Sequence, residues 1–67
     1  MYKYLMTQRP AMPGAIPNNP RPVDIINYDN RTWLEEYNKN VWSILIYDAP
    51  LTMQQINDYE LSEVLNS

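Results

Sequence analysis

Chemistry in this chain has to come from carboxylates, hydroxyls and amines, because its 67 residues contain no histidine and no cysteine. Imidazole general bases, thiolate nucleophiles and the nitrogen and sulfur ligands of zinc sites are all excluded. The tightest gathering of acids is Asp58, Glu60 and Glu63. Three carboxylates can hold a hard cation, but this run has neither the alternating carboxylate ladder nor the glycine of a calcium loop. It reads as a solvated acidic surface. Glu35 and Glu36 point to opposite sides of a strand and about 100° apart on a helix, so they do not form an acid/base pair. The serines have no base beside them, and a chain with one glycine, Gly14, has no glycine-rich phosphate loop. These residues imply no enzyme, no metal site and no cofactor.

Binding is what remains. Residues 8–22, QRPAMPGAIPNNPRP, hold five of the six prolines and the glycine. A linker needs two domains, and residues 1–67 are enough for one. A ligand for an SH3-type groove needs arginine at a set distance from its PxxP core. Here Arg9 abuts Pro10 and Arg21 abuts Pro20, which is the wrong spacing. A shaped loop fits better: proline stiffening reduces the entropy lost when a contact forms, and Gly14 supplies a turn. Arg9, Met12, Pro13, Gly14 and Ile16 are therefore candidate protein-binding residues. The competing reading is that the segment lies back over a thin core. Met12 and Ile16 discriminate, since burial favours a cover and exposure a contact.

The net charge of −3 is unevenly distributed. Residues 1–22 carry Lys3, Arg9 and Arg21 and no acid, whereas residues 45–67 carry Asp48, Asp58, Glu60 and Glu63 and no base. Those four acids form a second candidate protein-binding face. Five cations in all argue against a phosphate-binding surface. Tyr2, Tyr4, Tyr28, Trp33 and Trp42 could stack on bases, but with no phenylalanine these rings are needed for the core. No apolar run approaches the roughly 20 residues that cross a bilayer, and MYKYLMTQR lacks a signal-peptide stretch. The expectation is a cytoplasmic protein that does not engage membranes. A chain this short buries only about 60% of its unfolded surface, so homodimerisation is a further expectation.

The elements that must position these residues follow from local pattern. Residues 2–8 read as a strand ending at the first proline. Residues 9–22 form a long Pro-rich loop between strands one and two, because each proline removes an amide donor. Residues 23–28 resume as a strand, and Asp29-Asn30 supplies turn chemistry. Residues 31–37 fit either a third strand or a short helical turn, and Asn38-Lys39-Asn40 a tight turn. Val41–Tyr47 is apolar on both faces and is expected at the sheet centre. Thr52 and Gln55 form a capping box, with Leu51 and Ile56 as its hydrophobic staple. Beyond it, either a continuous helix carries Leu61, Val64 and Leu65, or Asn57-Asp58 stops the helix and Tyr59-Glu60-Leu61 extends. The fold class is α+β: a small three- to four-stranded, mainly antiparallel sheet with one short C-terminal helix on a face.

Two stretches resemble a known family. Leu5-Met6-Thr7-Gln8-Arg9-Pro10-Ala11-Met12-Pro13-Gly14-Ala15-Ile16-Pro17 is similar to the opening of very small uncharacterised proteins of phages, plasmids and conjugative elements in clostridia-like Gram-positive bacteria. Pro50-Leu51-Thr52 followed by Asp58-Tyr59-Glu60-Leu61 resembles their closing signature. The chain departs from that pattern at Asn18-Asn19-Pro20-Arg21-Pro22 and at Ser62-Glu63. The resemblance implies a mobile-element setting in which small proteins without catalytic residues act by binding. The expected function is non-enzymatic binding of a host or element protein, as an inhibitor of a host defence complex (anti-CRISPR-like or otherwise anti-defence) or as an adaptor. The alternatives are a nucleic-acid-binding module or a homodimeric structural unit.

Overall fold

The run that is apolar on both faces lies where its pattern requires. In the computed structural model, which describes residues 1–12 and 14–64, strand β1 (Tyr2–Met6) and strand β2 (Asp24–Leu34) flank strand β3 (Lys39–Tyr47). Helix α1 (Met53–Asp58) and strand β4 (Leu61–Glu63) complete the chain order. The sheet order is β2-β3-β1-β4, and each neighbouring pair is antiparallel. β3 and β1 are thus the two interior strands, which explains why Tyr4, Leu5, Met6, Ile44, Leu45 and Tyr47 are all buried.

This order forces two crossings of the sheet. β1 and β2 both run antiparallel to β3, so they are parallel to each other with β3 between them. β3 and β4 are likewise parallel, with β1 between them. Parallel strands cannot be joined by a tight turn. Residues 7–23 make the first crossing, without helix or strand among those described, and α1 lies in the second. Both lie on one face: Ala11 and Ile16 from the first, and Leu51 and Ile56 from the second, pack with Tyr4, Met6, Leu45, Tyr47 and Leu61. A second cluster holds Leu5, Ile44 and Val41, with Tyr28, Leu34, Tyr37, Ile46 and Val64 packed around them.

Asp29-Asn30 does not turn the chain. β2 continues through it, and the register steps from Asn27↔Ser43 to Thr32↔Val41, so residues 28–31 bulge opposite Trp42. A bulge absorbs poor strand formers without ending the strand and bends it. Beyond it, Leu34 and Tyr37 reach the second apolar cluster. Residues 31–37 are therefore neither a separate strand nor a helix; they finish β2 and begin its turn. The turn itself spans Glu35–Asn38, two to three residues earlier than the asparagines suggest. Tyr37 and Asn38 amides donate to the Leu34 and Glu35 carbonyls at 3.2 Å each. Asn38 sits at φ 56, and Lys39 and Asn40 already belong to β3.

The helix start forms as its residues dictate. The Gln55 amide donates to Thr52 Oγ1 at 3.1 Å, and the Thr52 amide donates to Gln55 Oε1 at 3.0 Å. Leu51 and Ile56 are both buried in the first cluster, as a staple requires. The helix is not the C-terminal element, however. It stops after six residues, Glu60 takes φ 55 and the chain extends into β4. A left-handed residue just past a helix reverses the chain cheaply, and the reversal sets Leu61 opposite Met6. Of the two readings of this region, the strand is what forms over Leu61–Glu63; Leu65 lies outside the described residues. Among the described residues no helix is long and apolar enough to cross a membrane.

The cap supports a helix too short to persist alone. Thr52→Ala is expected to lower stability by about 1 kcal/mol, read as a reduced urea midpoint at unchanged m-value. Thr52→Ser should restore most of it.

Candidate functional site

Three polar side chains on the covered face fix both crossings. Tyr4 and Tyr47 meet edge to face, with ring centroids 5.8 Å apart and an interplanar angle of 73°. The Tyr47 hydroxyl donates to the Pro17 carbonyl at 2.7 Å, tying down the first crossing. The Tyr4 hydroxyl accepts from the Leu51 amide at 2.9 Å, tying down the entry to α1. Burial, reinforced by the neighbouring Tyr4 and Tyr59, pushes the Tyr47 phenol up to about 12. Ser43, fully buried in the central strand, accepts from the Ala11 amide at 3.2 Å and donates to Asn27 Oδ1 at 2.8 Å. Among the described residues no buried side-chain polar atom lacks a partner, and no group of three or more acids converges on a metal-sized site.

With the crossing segment held this way, a groove opens between it and β2. One part of it, about 330 Å³, is lined by Ala11, Met12, Ile16, Asn18, Ile25 and Asn27. An adjoining depression shares Ile16, Asn18 and Ile25 and adds Arg21 and Pro22. The walls are mainly apolar with two amides, and one cation stands at an end. Ser43 has one hydroxyl hydrogen, which goes to Asn27 Oδ1, so Asn27 presents its Nδ2 donors outward.

The residues singled out in the Pro-rich segment divide between buried and exposed. Ile16 is half-buried against the core and Pro17 beside it is buried, whereas Met12 is 58% exposed. Gly14 is exposed at φ +83 inside a turn closed by the Ala15 amide donating to the Met12 carbonyl at 2.9 Å. That φ is the one a type II turn demands of its third residue. Pro13 lies outside the described residues. Arg9 is exposed and forms an ion pair with Glu60. The sorting of charge along the sequence is thus partly undone in space: Asp48, Asp58 and Glu63 are exposed without an ion-pair partner among the described residues, but Glu60 is compensated. Glu63 lies on β4, and Asp58 ends the helix α1.

Sequence reasoning missed Ser43, Asn27, Ile25 and Asn18. Ser43 left a signal, since a lone hydroxyl in a strand apolar on both faces must find a partner. The others depend on where the crossing segment comes to rest.

Ser43→Ala strands the Ala11 amide and is expected to cost about 1–3 kcal/mol, with faster hydrogen exchange at Ala11 and Ile16. The Tyr47 phenol is neutral in the fold up to about pH 12 but ionises near 10 when exposed. Its contribution is therefore complete below pH 10 and is lost as pH rises from 10 towards 12. Denaturation midpoints across that window should fall for the wild type and fall less for Tyr47→Phe.

Comparison with known proteins supplies the context. No solved structure matches the chain significantly. A curated relative, the Defense against restriction protein A of Escherichia phage P1, is 38% identical over 65 residues. That alignment takes in 90% of this chain and 9% of the relative, so the chain spans less than a tenth of that protein's length. The setting of phages and mobile elements is therefore supported by a phage of Escherichia, with nothing bearing on clostridial hosts. The family model described as Defence against restriction A C-terminal matches residues 1–65, and the chain belongs to that family.

Proposed function

We propose that this chain is a non-enzymatic protein-binding module through which a mobile element counters host restriction. The reading is carried by the groove between the first crossing and β2, whose apolar walls end in an exposed methionine. It is supported by membership in a family named for defence against restriction. A relative named for that role lends the direction, and the residues lend the mode: no histidine or cysteine, and no assembled acid cluster among the described residues.

The module meets a host defence protein or another protein of its own element, without cofactor, in the cytoplasm. It does not serve as a nucleic-acid reader. Five cations are too few for a strong counterion-release drive, and Arg9 is already engaged by Glu60. Homodimerisation is not required for the groove, which is built from one chain.

Placing Met12→Asp in the element should abolish protection. An unpaired carboxylate driven into an apolar interface costs more than the ~1.4 kcal/mol that separates tenfold steps in affinity. Plating efficiency is expected to drop about tenfold or more on a restricting host and to stay unchanged on a host without restriction. Equal plating on both hosts, with the variant folded, overturns the proposal.

A further inference from the structure

We infer that the groove seats an extended peptide segment of a partner protein, which adds to the free edge of β2 and carries an apolar residue and a carboxylate two positions apart. The inference rests on the protein-binding reading above and names the ligand chemistry.

The first observation is the edge. β2 ends the sheet order, so its outer backbone groups have no strand partner among the described residues. Unused edges are ordinarily guarded by charged side chains, proline or a bulge. Over Asp24-Ile25-Ile26-Asn27 the register is regular, and the one charge, Asp24, stands at the start of the strand and accepts from the Ile25 amide at 2.8 Å; the bulge begins only at Tyr28. A peptide can therefore pair along this short stretch by displacing one side-chain contact, before the bulge turns the edge away.

The second is what lies beside that edge. Ile25 and Asn27 share one face of β2 and both line the groove, so alternate side chains of an added strand lie over it. Ala11, Met12, Ile16 and Ile25 make a seat for a leucine-sized side chain. Asn27 offers its Nδ2 donors to a peptide carbonyl, because its oxygen is taken by Ser43.

The third is charge. Arg21 lines the adjoining depression, and no acid among the described residues pairs with it. The nearest acid in the sequence, Asp24, accepts instead from the Ile25 amide at 2.8 Å. Two residues along a strand advance about 7 Å, which carries the next same-face side chain from the apolar seat towards the guanidinium. A carboxylate there meets a planar fork of donors suited to it. The ligand pattern is therefore apolar, any residue, acidic, with the order set by strand direction.

The test titrates ¹⁵N-labelled protein with short blocked threonine peptides that carry leucine and glutamate two positions apart, in both orders, beside counterparts with lysine for glutamate. One glutamate peptide should shift the amides of Ala11, Ile25, Ile26 and Asn27 and bind at least about tenfold more tightly than its lysine counterpart. Arg21→Glu, at an exposed position, should invert that preference; Arg21→Gln should abolish it if the first variant unfolds. Absence of binding, equal binding of glutamate and lysine peptides, or shifts confined to Trp33 and Ile46 overturns the inference. So do the same shifts produced by concentrating the protein alone, which assign the edge to a second copy. The outcome is independent of the plating assay. Protection lost in Met12→Asp without peptide binding leaves anti-restriction standing and removes this ligand, and peptide binding without a plating effect does the reverse.

Discussion

The edge-to-face pair of Tyr4 and Tyr47 is the constraint on which the rest of the structure depends. A chain with no phenylalanine must build its core from rings that carry hydroxyls, and each buried hydroxyl must find a partner. Both find backbone, and each finds a different crossing: Pro17 for Tyr47, Leu51 for Tyr4. The two segments that cover the sheet are thereby referenced to a single aromatic contact between its interior strands. That gives a small core positional control that apolar packing, being non-directional, cannot supply.

The same arrangement decides what is left uncovered. The first crossing is held at Ala11 by Ser43 and at Pro17 by Tyr47. Between those two anchors the Ala15 amide donates back to the Met12 carbonyl, and Met12 is left exposed. The same anchoring keeps the segment off Ile25 and Asn27, and that separation is the groove. Ile16 covers the core and Met12 stands exposed, so the two residues of one segment answer differently.

Much of the fold was legible because its signals are local. The β3 run is apolar on both faces and can only be interior. Thr52, Gln55, Leu51 and Ile56 identify a helix start by spacing alone. The bulge was not legible. Asp29-Asn30 has turn chemistry, and only the pull of Leu34 and Tyr37 towards the second cluster overrides it. The helix end was ambiguous for a similar reason, since the segment 59–64 satisfies helical and extended patterns alike. The vacant outer side of β1 decided it, by offering backbone partners to Leu61–Glu63.

The sequence by itself determined the absence of histidine and cysteine, the interior strand, the capped helix and the proline-rich crossing segment. Each depends on residue type or on spacing within a few positions, and such information survives without a fold. Tertiary structure alone decided the strand order, the pairing of Arg9 with Glu60 across the molecule, and the groove that Ala11, Ile16, Ile25 and Asn27 share. Those features join residues far apart in the chain, and what joins them is the burial of two tyrosines and one serine that must each be hydrogen-bonded once water is gone.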